Sequence, residues 1–267
     1  MNAAFTLLFL IMFANIVLSY FKYRKPLESS SVETFQNATI QFLNKKQFTA
    51  FLLKDPDNYY STLHKNDLKA RHIKSVSEYK KIIPNSTCQG SFAVKQKIQK
   101  CIHAIQTKLE HKQGKIVHGI RIRKLLSLPW VIGFSCDDKY EFGFPHTRTN
   151  VIVLNVSDVI RRSEKELCQL LLHEKVHVYQ KKYNTEMDAY FERKGFKIVG
   201  GKNKETMENP ANPDTNSKIY NHLETNVKYY AKYNKNPQGA RDIVFSKNHS
   251  KYEHPLEKIA YDMETIL

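Results

Sequence analysis

The sequence predicts an α+β fold behind an N-terminal transmembrane helix, and three observations carry that prediction. Apolar residues recur at helical spacing through the N-terminal half, short β-rich runs broken by turn residues fill the middle, and a capped helix follows them directly. Of the 267 residues, 41% are hydrophobic and 12% aromatic, too apolar for a disordered chain. Such a length suits one domain of about 200 residues with an appendage better than two full domains.

The appendage comes first. Residues 3–21 are apolar except for Thr6, Asn15 and Ser19, and at 1.5 Å per residue such a run just crosses a hydrocarbon core of about 30 Å. Lys22, Arg24 and Lys25 follow it, and no Lys or Arg precedes it. That flank predicts an uncleaved single-pass anchor over 1–21, with the C-terminal part on the cytosolic side of the membrane. A leader cleaved after Ser19 is the alternative, and four N-x-S/T sequons, at Asn37, Asn85, Asn155 and Asn248, point to the opposite side. Residues 22–32, ending in a serine run, read as a linker.

A helical part is predicted over 33–125. Phe35, Ile40, Phe42, Leu43, Phe48, Phe51 and Leu52 carry helical spacing from Val32 to Leu53, and Asp55-Pro56 ends it because a residue before proline is pushed out of the α region. Val94, Ile98, Ile102, Ile105 and Leu109 predict a second helix over Phe92 to Lys112, with Gly114 beyond its end. Both are expected to pack as a pedestal.

The part over 126–267 changes period. Pro129 to Phe134, Tyr140 to Phe144 and Asn150 to Asn155 are β-rich and separated by Asp137-Asp138 and Pro145, so a small sheet is expected. Ser163 with Glu166 three residues on forms a capping box, opening a helix over about Glu164 to Tyr183.

Charge and cysteines exclude some classes. Lys and Arg number 42 against 26 Asp and Glu, but no run of basic residues exceeds three and no nucleic-acid module accompanies them, so the excess reads as surface solvation and nucleic acid is not an expected partner. Cys88, Cys101, Cys136 and Cys168 form no C-x-x-C pair and are expected to be ordinary buried thiols, neither a disulfide scaffold nor a zinc finger.

The capped helix contains His173-Glu174-Lys175-Val176-His177, an H-E-x-x-H segment. Residues i and i+4 stand one turn apart on one helix face, so the two imidazoles can bind one zinc ion, while Glu174 lies about 100° around, beside the ion, where it can take a proton from bound water. A catalytic zinc needs a third protein ligand. Glu257 is the leading candidate: Pro255 suits a first helical turn, and Ala260 and Tyr261 let that helix pack closely on the zinc helix. Glu186, only nine residues past His177, and a histidine such as His222 or His254 are the competitors. Tyr252, His254, Tyr261, His222 and His146 are candidates for stabilising an oxyanion. The turn-rich stretch 209–216 predicts a long loop near the cleft.

At these residues the chain resembles the gluzincin branch of the zincin-like metallopeptidases, through H-E-x-x-H at 173–177 and E-x-x-A at 257–260. The resemblance is confined to about 145–183 and 250–263. It implies that His173, His177 and Glu257 bind Zn2+, that Glu174 is the general base, and that the fold is a zincin-like metallopeptidase domain. It also implies an edge strand for an extended protein or peptide substrate, placed at Val151 to Leu154. The expected function is therefore that of a membrane-anchored, zinc-dependent metalloprotease, a hydrolase of peptide bonds. A zinc hydrolase of other bonds and a catalytically inactive zincin-like binding module are the alternatives.

Overall fold

A computed structural model describes residues 38–201, 210–215, 218–244 and 250–267. The predicted membrane span at 3–21, the linker at 22–32 and the sequons at Asn37 and Asn248 lie outside them; among the described residues no helix is long and apolar enough to cross a membrane.

The chain is α+β. Its elements run β1 (Ile40–Phe42), α1 (Lys45–Lys54), α2 (Lys65–Ala70), α3 (Val76–Ser86), β2 (Thr87–Cys88), α4 (Phe92–Glu110), β3 (Ile116–Val117), β4 (Ile120–Arg121), α5 (Ile122–Ser127), β5 (Trp130–Ser135), β6 (His146–Arg148), β7 (Val151–Asn155), α6 (Val156–Arg161), α7 (Glu164–Lys182) and α8 (Asn184–Arg193). After these come β8 (Phe196–Gly201), β9 (Lys218–His222), β10 (Val227–Tyr229), β11 (Lys232–Tyr233), β12 (Ile243–Val244) and α9 (Pro255–Glu264).

The main sheet has the order β1-β5-β7-β6, with β2 pairing antiparallel at the far end of β5. β1, β5 and β7 are parallel, and β6 is an antiparallel edge. Buried on both faces, β5 and β7 read as continuous apolar runs, as parallel strands between helices do. Val131, Val151 and Val153 pack on Phe48, Leu52, Tyr79 and Ile83 of α1 and α3. Ile152 and Leu154 alternate with them and face the other side, where α7 packs on β6 and β7 and α4 packs on α7. Phe48 lies so near the sheet that a Cβ at Gly133 would meet its ring at 2.3 Å, which leaves glycine the only residue that fits there.

Sequence expectations fail at four places in this frame. Of the predicted helix Val32–Leu53, residues 32–37 lie outside the described ones, Ile40–Phe42 is a strand along β5, and Asn44, whose side chain accepts from the Gln47 amide, caps a helix that begins at Lys45. Tyr140 to Phe144 is a turn instead of a strand. The Glu141 carboxylate is drawn inward to Arg71 Nη2 at 2.6 Å and to the Tyr79 hydroxyl, and Glu141, Phe142 and Gly143 take φ of 48°, 57° and 68°, a left-handed run that no strand accommodates. The strand falls a few residues later, at β6. Consequently Val151 to Leu154 is internal, and the edge beside α7 is His146–Arg148.

The fourth correction concerns the cysteines, which are paired rather than free: Cys88 with Cys136 and Cys101 with Cys168, at Cα separations of 5.8 and 4.9 Å. Folding brings each pair together, the first by β2 pairing with β5 and the second by α4 packing on α7. Partners 48 and 67 residues apart leave no mark in local spacing.

β6 is held from its outer face as well. Arg148, fully buried, donates to Asp57 at 2.8 Å, Asp55 at 2.6 Å and the Tyr140 hydroxyl at 3.0 Å, with its guanidinium over the rings of Tyr59 and Tyr60. A buried cation needs such a complete set of partners.

Candidate metal centre

α7 is opened by the predicted capping box of Ser163 and Glu166 and is buried on every side from Leu171 to Gln180. His173 and His177 project from it toward α9. The first turn of α9 carries Pro255 and is capped by His254, whose ring accepts from the Leu256 amide. Helix α9 packs directly on α7, and this contact brings Glu257 to the histidines.

His173 Nε2, His177 Nε2 and Glu257 Oε2 form a triangle with edges of 3.1 Å between the nitrogens and 3.3 and 3.6 Å to the carboxylate. With metal–ligand bonds of 2.0 to 2.1 Å, the face of a tetrahedron has edges of about 3.3 Å. Among the described residues, this is the group of His, Cys, Asp and Glu side chains that could hold a metal ion.

The hydrogen bonds behind the triangle fix the tautomers. Gln180 Nε2 donates to the Leu256 carbonyl at 3.0 Å, so its Oε1 faces His177 Nδ1, 2.8 Å away, and that nitrogen must carry the proton. Glu264 Oε1 lies 2.8 Å from His173 Nδ1 and can only accept. In the neutral rings both Nε2 atoms are bare lone pairs beside a carboxylate oxygen, so three acceptors converge with no donor among them. Such a group calls for a cation or a proton. Burial disfavours charge on His173, but its hydrogen bonds with Glu257 and Glu264 outweigh that and hold its pKa well above the ordinary imidazole value. Burial likewise opposes the charge on Glu257, and His177 and His173 overcome it, keeping the carboxyl well below its usual range. The second oxygen of Glu257 accepts from Asn212 Nδ2 at 3.0 Å, which turns Oε2 toward the histidines.

Glu174 stands apart from this triangle and is buried. Its Oε2 accepts from the Thr147 hydroxyl of β6 at 2.8 Å. Burial, together with the charge of Asp214, pushes the carboxyl up to about 8. His173, Glu174 and Glu257 line a cavity of about 730 Å³, together with the 210–214 segment, Tyr252 and Tyr261, while His177 lies buried behind them.

The structure brings His173, His177 and Glu257 together, with Glu174 lining the same cavity, and it leaves the competing ligands elsewhere. Glu186 pairs with Lys124 and Arg121, His222 packs edge-on against Phe196, and His254 caps α9. Of the candidates for stabilising an oxyanion, Tyr252, Tyr261 and His146 line the cavity, with Tyr261 packed edge-on against His173 at 4.6 Å. Pro210 to Asp214 of the expected loop also line it.

Sequence reasoning missed the groups that support the site. Gln180, three residues past His177, and Glu264, two turns past Glu257, were visible as same-face neighbours on their helices. Thr147, Asn212 and Asp214 left no such signal.

No protein-family model, no curated protein and no solved structure matches the chain.

Proposed function

We propose that the chain is a zinc-dependent metallopeptidase of the zincin-like type, with protein or peptide substrates and a membrane anchor at residues 3–21. The single observation that carries the metal is the triangle of His173, His177 and Glu257, sized for a tetrahedral ion and lacking any donor of its own. Those three residues would hold Zn2+, which when bound acidifies water and polarises a carbonyl. Every further role belongs to protein groups. Glu174 receives the proton of the attacking water and passes it to the leaving amine, and Thr147 holds its carboxylate in place for both transfers. Glu264 and Gln180 keep the imidazoles in the tautomer that presents Nε2. β6 offers an extended peptide the free side of an edge strand, the ordinary mode of strand addition. On that side the Thr147 amide now donates to Asp214, so a substrate strand pairing there would take the place of that carboxylate.

The test joins metal analysis of the full chain to a peptide-library digest with the Glu174→Gln variant alongside. Stoichiometric zinc, cleavage abolished by chelation, and a Glu174→Gln protein that keeps its zinc while hydrolysis falls by roughly 10²-fold or more are expected. Zinc without cleavage of any peptide would shift the reading to a hydrolase of other bonds or a binding module. Absence of zinc binding would end it.

A further inference from the structure

We infer that residues 38–267 fold in an oxidising, secretory compartment and carry an N-linked glycan on Asn85, which places them on the opposite side of the membrane from the one that Lys22, Arg24 and Lys25 predict. The inference is independent of the metal centre.

The first observation is the cysteine pairing. The chain has four cysteines, and all four are in disulfides. Both Cα separations, 5.8 and 4.9 Å, lie inside the window of about 4.4 to 6.8 Å that a disulfide demands. Thiols kept only for packing have no reason to meet two by two across separate element contacts, and such pairs persist where the surroundings are oxidising. In forming, each pair gives two electrons and two protons to the disulfide of a thiol–disulfide oxidoreductase, which leaves as a dithiol.

The second observation sorts the sequons. Asn155 is buried and engaged: its Oδ1 accepts from the Ser157 amide to cap α6, and its Nδ2 donates to the Asp137 carbonyl at 2.9 Å. Asn85, in Asn85-Ser86-Thr87, is exposed in the last turn of α3 and does not line the cavity, so a bulky group there leaves both fold and cleft clear. In the transfer, Asn85 Nδ2 bonds to the anomeric carbon of a polyprenyl-diphosphate oligosaccharide, the carbon–oxygen bond to the diphosphate breaks, and the amide proton leaves with it. The acceptor signal needs the Thr87 hydroxyl, which in the fold is buried against the Thr49 hydroxyl. Transfer therefore precedes the pairing of β2 with β5 and the closure of Cys88 on Cys136.

The test is translation of the full chain in vitro with and without endoplasmic-reticulum microsomes, for the parent and Asn85→Gln. Expected are a microsome-dependent mass increase removed by an N-glycanase, a variant one glycan step lighter, and protection of the domain from added protease. Peptide mapping without reductant is expected to recover Cys88 linked to Cys136 and Cys101 linked to Cys168. A protease-accessible, unglycosylated domain with four alkylatable thiols would overturn the inference. A glycosylated parent whose Asn85→Gln variant migrates identically would overturn the assignment to Asn85.

Discussion

Replacing Glu264 by Gln tests the metal centre through a residue that would touch no ion. Glu264 is the last residue of α9, and its carboxylate accepts from His173 Nδ1 at 2.8 Å. A hydrogen bond to a charged partner contributes about 1.5 to 3 kcal/mol, against about 0.5 to 1.5 for a neutral one, so the substitution removes about 1 to 1.5 kcal/mol of support for the imidazole. The ring also loses basicity at Nε2, and groups of this kind typically change metal affinity by roughly 10- to 100-fold. The expectation is a zinc affinity lower by about tenfold, equivalent to about 1.4 kcal/mol. The fold should change little, because a carboxylate in the last helical turn is opposed by the helix dipole, and its loss offsets part of the missing bond. Competition with a chromogenic chelator measures the affinity, and urea unfolding of the metal-free protein measures the fold. Glu186→Gln, in a carboxylate paired with Lys124 and Arg121, serves as the control and should leave zinc binding unchanged. Equal zinc affinity in Glu264→Gln and the parent would refute the reasoning, as would a loss matched by Glu186→Gln.

Two further predictions concern the scaffold. Cys101→Ala with Cys168→Ala opens a loop of 67 residues, which in the chain-entropy description lowers stability by about 4 kcal/mol at 25 °C; urea denaturation should show it, and a loss below about 1 kcal/mol would mean that the pair is not bonded in solution. His254 is held down to about 3 by burial, so the fold keeps it neutral. Because the unfolded chain takes up that proton near 6.5, the contribution of His254 to stability is full above 6.5 and falls by about 1.4 kcal/mol per unit as pH drops toward 3. His254→Asn keeps a good helix cap and cannot titrate, so its stability curve between pH 6.5 and 4 should be flatter than the parent's; parallel curves would contradict the assignment.

What the sequence disclosed and what it withheld divide along the reach of the interactions. Helix α7 and its cap, α4, β5, β7 and the start of α9 were legible because each rests on contacts within a few residues: Ser163 with Glu166, apolar spacing along 92–112, Pro255 at a first turn. So were His173 and His177, which one helix turn sets side by side, and Glu174 next to His173 in the chain. Glu257 was reachable by chemistry, since a catalytic zinc of the proposed kind needs a third ligand, although nothing local fixes a distance across 80 residues. The withheld features are long-range. β1 became a strand because β5 offered it a partner, and the 140–144 run turned because Glu141 meets an arginine 70 residues away. The disulfides and the supports Asn212 and Asp214 belong with them.

The anchoring of β6 has a consequence for how the cleft can move. A three-residue edge strand would ordinarily be among the first pieces to fray. Here the buried guanidinium of Arg148 pins one end to Asp55, Asp57 and Tyr140, and the ring of His146 holds the Phe144 carbonyl at the other. Thr147 is suspended between these two moorings, and its hydroxyl is what steadies Glu174. The jaw that β6 forms beside Glu174 is thus stationary. Under the proposed function, room for a substrate chain would come from the facing jaw, the 210–214 segment, which meets the rest through Asp214 on Thr147, Asn212 on Glu253 and Glu257, the Ala211 amide on Asp67, and the Pro213 carbonyl on Lys181. The cleft works as a vice with one fixed side, and the amides of Ala211, Asn212 and Asp214, with that of Thr147, which Asp214 holds, should exchange hydrogen well before those of His146 and Arg148, which pair with β7.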